Sequence, residues 1–459
     1  MKTQDLLDPK GWAERTFGGV QLHDMRRTRR AVQAASKLAT NPLGSLPAQM
    51  QTWKESKALY RLLDEPDVTF AALMQPHVEQ TRAQATSSPI VLLVQDTTDI
   101  DLSHRRKISG VGHIGNERGR GFFLQTVLAV RPQTREVLGC IAQEPFVRIP
   151  APEGEQRSGR RKRDERETDV WMRQVSAIGT PEPESMWVHV GDRGADMFPF
   201  FQPCHSTQTH FLVRAAQNRR VQESEDEITY SLTQARAFPS QASRELELPA
   251  RHGHQARWVH LHLSFGQMTL LPPRNDPRAC KDPMSVWVIR VWEEKAPEGE
   301  EPLEGVLLTS VPTTTLDQAW SSVEWYRHRW LVEDYHPCLK SGCRIEERQL
   351  QTVDGLMRLL GLLSPLAVRL LQVRACARED PERPASEVIE PLMLAVLAQH
   401  SEQSPAPMTV GTFWTEVACM GGYLARSHDG LPGWRTIWKG WLSLQTLLEG
   451  VHLAFHLQL

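Results

Sequence analysis

The sequence predicts a mixed α/β fold, with a central layer of strands and helices between two helical regions. Three observations lead there. Apolar runs of strand length recur between 76 and 215, with "PIVLLVQDTTDI" the clearest. Short alternating runs between turn-rich pieces fill 225–312. Apolar positions at helical spacing occupy both ends of the chain.

Taken in order, "RRTRRAVQAASKLAT" keeps a helical period until Asn41-Pro42, and "MQTWKESKALYRLLD" until Glu65-Pro66. Residues 1–75 therefore read as a helical domain. "PIVLLVQDTTDI" reads as a buried central strand closing on Asp96. "GFFLQTVLAV" and "EVLGCIAQEPFVR" follow closely enough for an antiparallel meander. The charged segment 157–178 reads as a helix, "SMWVHVGDRGADMF" as a buried strand ending at Asp192, and "HFLVRAA" as a fifth strand. "SRELELPA", "RWVHLHLSF", "MTLLPP", "SVWVIRVWEE" and "GVLLTSVP" read as short strands of a β insertion spanning about 225–312. Helices return from Leu316. The expected organisation is a helical domain 1–75, a mixed domain 76–375 holding the insertion, and a second helical domain 376–459.

With 40% apolar and 24% charged residues over 459 positions, the chain has the composition of a soluble globular protein. The longest apolar stretch, Leu356 to Val373, is interrupted by Arg358, Arg369 and Ser364-Pro365, which argues against a membrane span. "MKTQDLLDPKGW" lacks the apolar core of a signal peptide, so the bacterial cytosol is expected and a membrane partner is not. Seven cysteines at irregular spacing favour reduced thiols over a zinc site. "GVGHIG" (110–115) has the glycine spacing of a dinucleotide loop but neither the preceding strand nor the following helix, so no nucleotide cofactor is expected.

The formal net charge is −2, yet cations cluster in "RRTRR" (26–30), "HRRK" (104–107) and "RSGRRKR" (157–163). Such clusters on a nearly neutral chain suggest a basic track for a polyanion. The segment "YRHRWLVEDYHPCLK" (326–340) mixes cations, carboxylates and aromatics. At about 100° per residue, Tyr326, Arg329, Glu333 and Lys340 fall at about 0°, 300°, 340° and 320°, one stripe of a single helix. Two strand-end carboxylates, Asp96 and Asp192, together with Glu333 would make an oxygen-rich cluster suited to Mg²⁺ or Mn²⁺. Asp99, Asp101, Asp196 and Asp334 read as structural or surface acids.

The spacing Y-x2-R-x3-E-x6-K resembles the signature of the IS-four family of insertion-sequence transposases, to which the Tn-five transposase belongs. "DTT" (96–98) and "DRGAD" (192–196) resemble that family's two aspartate motifs, in the family's order. The resemblance implies a ribonuclease-H-like catalytic core and a catalytic, metal-holding triad of Asp96, Asp192 and Glu333 with two Mg²⁺ ions, for which Mn²⁺ can substitute. It implies a cut-and-paste enzyme that hydrolyses one strand at each transposon end, forms and reopens a hairpin, and joins 3′ ends to target DNA. Tyr326, Arg329 and Lys340 inherit contacts to DNA, as does Arg214. Arg26, Arg27, Arg29 and Arg30 fall in the family's end-binding domain. The terminal helices, with Trp434, Trp438 and Trp441 at one spacing, would hold a homodimer. At Gly305 the chain lacks a tryptophan that stacks on a flipped base in the family, with Trp292 the conceivable substitute. Two alternatives remain open at this point: a nuclease of the same fold that does not join ends, and a non-catalytic DNA-binding repressor.

Overall fold

The computed structural model describes residues 8–115, 118–148, 166–224, 227–248, 257–274, 281–297, 300–376, 380–402, 408–426 and 429–456. They divide into two compact units, one made of 1–81, 99–122 and 333–459, the other of 82–98 and 123–332. The basic segment 157–163 lies outside the described residues.

The chain opens with α1 (Pro9–Phe17), α2 (Met25–Thr40), α3 (Leu46–Met50), α4 (Trp53–Asp64) and α5 (Phe70–Thr86). Asp8, Asp24, Ser45 and Thr52 each cap a helix by accepting a backbone N–H that the first turn leaves unpaired. Helix α2 buries a face of small residues, Ala31, Ala34, Ala35 and Ala39, with Leu38. Helix α5 runs through position 75, so the domain boundary expected there falls inside a helix.

A large mixed sheet follows. Its first part is β1 (Ile90–Asp101), β2 (Gly112–Ile114), β3 (Gly119–Arg131) and β4 (Glu136–Phe146). Then come α6 (Asp169–Ile178), β5 (Met186–Gly191), α7 (Phe198–Ser206) and β6 (His210–Arg214). Strands β3 and β4 pair antiparallel, whereas β1–β5 and β5–β6 are parallel. The order β3-β1-β5-β6, with β4 on β3, is compatible with a ribonuclease-H-like core. Strand β1 differs from its expected end. Full burial stops after Gln95, but the strand continues through Thr97 and Thr98, whose branched side chains favour extended backbone, to Asp101. Asp96 therefore lies within a strand. The "GVGHIG" segment forms β2, paired with the start of β3.

The sheet continues with β7 (Arg220–Gln222), β8 (Ile228–Tyr230), α8 (Ser231–Ala237), β9 (Ala242–Leu248), β10 (Arg257–Leu270), β11 (Met284–Glu293) and β12 (Glu304–Thr309). Because β12 pairs antiparallel with β6, and β11 and β10 follow, the inserted strands extend the sheet that the first six begin. "RWVHLHLSF" and "MTLLPP", expected as two strands, are one strand of 14 residues. Gly266 continues the ladder between them, its backbone approached by the Phe238 ring so closely that a Cβ would lie 2.6 Å away. Inside this unit, Asp196 is fully buried. Its carboxylate accepts hydrogen bonds from the Ala216 and Gln217 N–H groups at 2.7 and 2.8 Å, and from Arg219 at 2.7 Å. It thereby ties the turn after β5 to the turn after β6, a structural role that accounts for one of the four acids set aside above.

The remaining elements are α9 (Leu316–Arg327), α10 (Trp330–Pro337), α11 (Val353–Cys376), α12 (Pro391–His400), α13 (Val410–Met420) and α14 (Trp434–His456). Helix α11 is long and apolar enough to cross a membrane, but 83% of its apolar window is buried in the protein. Its buried Arg369 lies over the rings of Trp12 and Trp438, 5.4 and 5.7 Å from their centroids. Trp438 and Trp441 are core residues, the latter against Trp414 at 5.6 Å. The side chain of Trp434 lies outside the described residues.

Three arginines, the buried Arg348 and the partly buried Arg344 and Arg105, tie segments of the first unit together. Arg348 donates to the carbonyls of Pro42, Gly44 and Cys343 and to the Gln49 side chain. Arg344 reaches the Leu43 carbonyl at 3.0 Å, and Arg105 donates to the carbonyls of Arg348 and Leu350. Arg105, the second residue of the "HRRK" cluster, is thus engaged in the fold, while Arg106 and Lys107 remain exposed.

Two outcomes follow for stability. Gly440 of α14 faces the Val417 carbonyl of α13 so closely that a Cβ would sit 1.5 Å from the oxygen. Gly440→Ala should cost at least about 1–3 kcal/mol, read as a lowered urea midpoint. Asp196→Ala should cost about 3–5 kcal/mol by the same measurement, because Arg219 loses its buried partner.

Candidate active site

Asp96 and Asp192 come from neighbouring parallel strands. The β1–β5 register runs from Ile90 opposite Met186 to Val94 opposite Val190. Each aspartate lies two residues beyond that last pair, so both extend the same alternation and occupy the same level. Adjacent strands are about 4.8 Å apart, so the register continued past Val94 and Val190 puts Asp96 and Asp192 at neighbouring positions just beyond the end of β5.

Local structure fixes each carboxylate. Asp96 Oδ1 accepts from the Thr97 N–H at 2.8 Å. Asp192 caps the 3₁₀ turn Arg193–Ala195 by accepting from the Gly194 N–H at 2.7 Å. That turn is tight because Gly191 lets Ala195 and Trp171 approach; a Cβ there would lie 2.5 Å from the Ala195 Cβ. Both aspartates are half-buried.

Arg329, Arg214 and Asp192 all act on Tyr326 within the same unit. Tyr326 lies near the end of α9, Arg329 in the two-residue break before α10, and Arg214 at the end of β6, opposite Leu307 of β12. Burial pushes the Tyr326 phenol above the ordinary tyrosine value. The charges of Arg329 and Arg214 pull it back, Asp192 pushes it further, and Arg329 hydrogen-bonds to the phenol. The Arg329 guanidinium lies 4.8 Å from the centroid of the Trp330 ring, which is 46% exposed. Arg329 itself is buried.

The arrangement differs from the single helical stripe expected for 326–340. Helix α9 stops at Arg327, and the His328 and Arg329 N–H groups close short bonds to Trp325 and Tyr326. Pro337 then removes the N–H that the Glu333 carbonyl would accept in a regular helix. Cys338–Gly342 forms a π-helical turn, closed by the Cys343 N–H on the Cys338 carbonyl. A uniform 100° step therefore does not describe this segment. Glu333 and Lys340 belong to the first compact unit, Tyr326 and Arg329 to the second. Glu333 is half-buried in the first turn of α10. Lys340 Nζ pairs with Asp99 at 2.8 Å and Glu346 at 3.5 Å. Asp99 thus has a definite partner.

Sequence reasoning missed two arginines here. Arg193 and Arg236 line a cavity of about 290 Å³ with Arg214, Glu304 and Val306. Arg193 carried a signal, its place inside "DRGAD"; Arg236 carried none. Gly305 pairs with Val291 and has open space, its nearest would-be neighbour the Val291 side chain at 3.4 Å. Trp292 is already occupied: His262 stacks on it at 5.4 Å and the Arg290 guanidinium sits 4.2 Å from the ring centroid.

In the N-terminal helices, Arg27 is committed to ion pairs with Glu65 at 2.8 Å and Asp67 at 3.1 Å. Arg26 and Arg29 are exposed and Arg30 is half-buried.

Carboxylate oxygens on adjacent strands are the hard donors that Mg²⁺ and Mn²⁺ take. Among the described residues, no three His, Cys, Asp or Glu side chains are grouped so as to hold a metal ion.

Two family models match the chain. Residues 9–68 match "Transposase DNA-binding", which covers Arg26, Arg27, Arg29 and Arg30. Residues 188–369 match "Transposase DDE domain", which takes in Asp192, Arg214, Tyr326, Arg329, Glu333 and Lys340 but begins after Asp96. DDE domains of this kind typically use divalent metal ions. With a DNA-binding domain ahead of a DDE domain, the chain is a DDE transposase.

Proposed function

We propose that the chain is a cut-and-paste DNA transposase of the IS-four type, acting as a homodimer on transposon ends and target DNA in the cytosol. Asp96, Asp192 and Glu333 are its catalytic carboxylates. The observation that carries this reading is the β1–β5 register, which continued by two residues sets Asp96 level with Asp192, together with the grouping of Arg214, Arg329 and Asp192 about Tyr326. Glu333 is the third carboxylate by its place in the Y-x2-R-x3-E-x6-K spacing.

The three carboxylates would hold two Mg²⁺ ions, which when bound supply activation of the attacking oxygen and stabilisation of the leaving one. The chain's own residues do the rest. Arg214 and Arg329 offer guanidinium groups to backbone phosphates, with the planar geometry that suits phosphate oxygens. Tyr326, kept neutral by burial, donates a hydrogen bond without adding charge. Lys340 is drawn to phosphate in competition with Asp99 and Glu346. Arg26 and Arg29, exposed on α2, provide contacts that position the DNA without reading bases.

Gly305 and the occupied ring of Trp292 favour a second possibility for one step: cleavage and joining with an inefficient hairpin stage. Base extrusion is stabilised by stacking on an aromatic, and neither position offers a free one.

Cleavage of duplex DNA carrying the element's own ends, in Mg²⁺ or Mn²⁺, tests the reading. Asp192→Asn and Glu333→Gln should each lower cleavage and joining by at least about 100-fold while end binding persists, since each removes charge stabilisation from the transition state. Cutting that survives in both variants would refute the triad. Gly305→Trp, at a position where a Cβ meets only the Val291 side chain at 3.4 Å, should raise the ratio of hairpin to nicked product on the same substrate; an unchanged ratio would place the base-holding role elsewhere.

A further inference from the structure

Beneath the aspartate pair lies a chain of buried polar side chains that the proposed mechanism does not use. Gln95 of β1, Gln125 of β3 and His189 of β5 are all fully buried, in three neighbouring strands of one unit. Thr97 Oγ1 donates to Gln125 Oε1. Gln125 Nε2 donates to Gln95 Oε1 at 3.1 Å, and Gln95 Nε2 bonds the His189 Nδ1 at 3.2 Å. Each amide uses its carbonyl on one side and its amino group on the other, so the chain runs in one direction from Thr97 into the core. With Nδ1 accepting, the His189 proton sits on Nε2, and burial keeps the ring neutral, its pKa lowered to about 3.

The fold does not require this chain. Two amides and an imidazole in central strands cost about 1–3 kcal/mol each wherever a bond is missed, whereas apolar residues of the same shape are often neutral or stabilising. The His189 Nε2 does miss one: it is buried with no hydrogen-bond partner among the described residues. What the chain does fix is the path of β1. Gln95 and Thr97 project to one face of the strand and Asp96, between them, to the other. Anchoring the flanking side chains to β3 and β5 prevents the strand from rotating or slipping where the carboxylate leaves it. The same Thr97 supplies the backbone N–H that holds Asp96 Oδ1.

We propose that Thr97 and Gln125 are positioning residues that act through the strand on Asp96, presenting its carboxylate to a divalent cation shared with Asp192. This rests on the reading of Asp96 as a metal-holding carboxylate. Partners that orient a ligand are typically worth about 10–100-fold in metal affinity.

The test is Mn²⁺ binding to the full-length protein, followed by electron paramagnetic resonance of the free ion, with thermal unfolding in parallel. Thr97→Val keeps the shape and removes the hydroxyl; it should weaken Mn²⁺ binding about 10-fold in a protein still folded at the binding temperature, with only the modest drop in melting temperature expected when the buried Gln125 Oε1 loses its donor. Thr97→Ser keeps the hydroxyl and should bind within about twofold of wild type. Gln125→Leu should repeat the Thr97→Val loss. Wild-type affinity in both Thr97→Val and Gln125→Leu, with Asp96→Asn impaired, overturns the positioning role and leaves the metal reading standing. Wild-type affinity in Asp96→Asn, or no Mn²⁺ binding by the wild-type protein, overturns both. A loss in Thr97→Val that Thr97→Ser shares overturns the hydroxyl's part.

Discussion

The parallel pairing of β1 with β5 is the constraint on which the candidate site depends. Parallel strands must leave the sheet in the same direction, and one register decides which residues share a level. Here the register, continued two residues past Val94 and Val190, sets Asp96 level with Asp192. A slip of one residue would turn one of the two carboxylates to the opposite face. Several unrelated features defend that register. The apolar faces of both strands are buried, Gly191 admits the tight turn that Asp192 caps, and Asp196 with Arg219 pins the exit of the turn. The amide chain through Gln95 and Gln125 adds directional bonds, which specify geometry more sharply than apolar contact does.

Much of this was legible in the sequence, for physical reasons that can be named. Buried central strands are apolar throughout, so "PIVLLV" and "MWVHV" stand out without tertiary information. A charged residue ending such a run must find a partner or a ligand, which drew attention to Asp96 and Asp192. The end of β1 was not legible, because "TTDID" alternates weakly and its pairing depends on a neighbour distant in sequence. Likewise, "RWVHLHLSF" and "MTLLPP" looked separate because Gly266-Gln267 resembles a turn, while the structure uses the glycine to admit the Phe238 ring. A helix wheel also assumes an unbroken backbone hydrogen-bond ladder. In 326–340 the ladder is broken before α10 and again at Pro337, and only the proline could be seen in advance.

These breaks shape the candidate site. A regular helix would hold each side chain of 326–340 at an angle fixed by its neighbours. The short bonds at His328 and Arg329 and the π-helical turn after Pro337 decouple three pieces of backbone. Arg329 can then be buried against Trp330 while Lys340 faces Asp99 and Glu346. Both cations are thus engaged within the protein, one by an aromatic face and one by carboxylates. Their attraction to phosphate is measured against these local competitors and not against water.

Arg348 has a mechanical consequence. Its guanidinium holds carbonyls of the loop between α2 and α3 and the carbonyl of Cys343, just past the π-helical turn, in one buried set of bonds. Pulling these segments apart would strand a cation without acceptors, and burial already lowers its pKa to about 10. The loop between α2 and α3 therefore cannot shift away from Cys343, three residues past Lys340, without breaking this set of bonds.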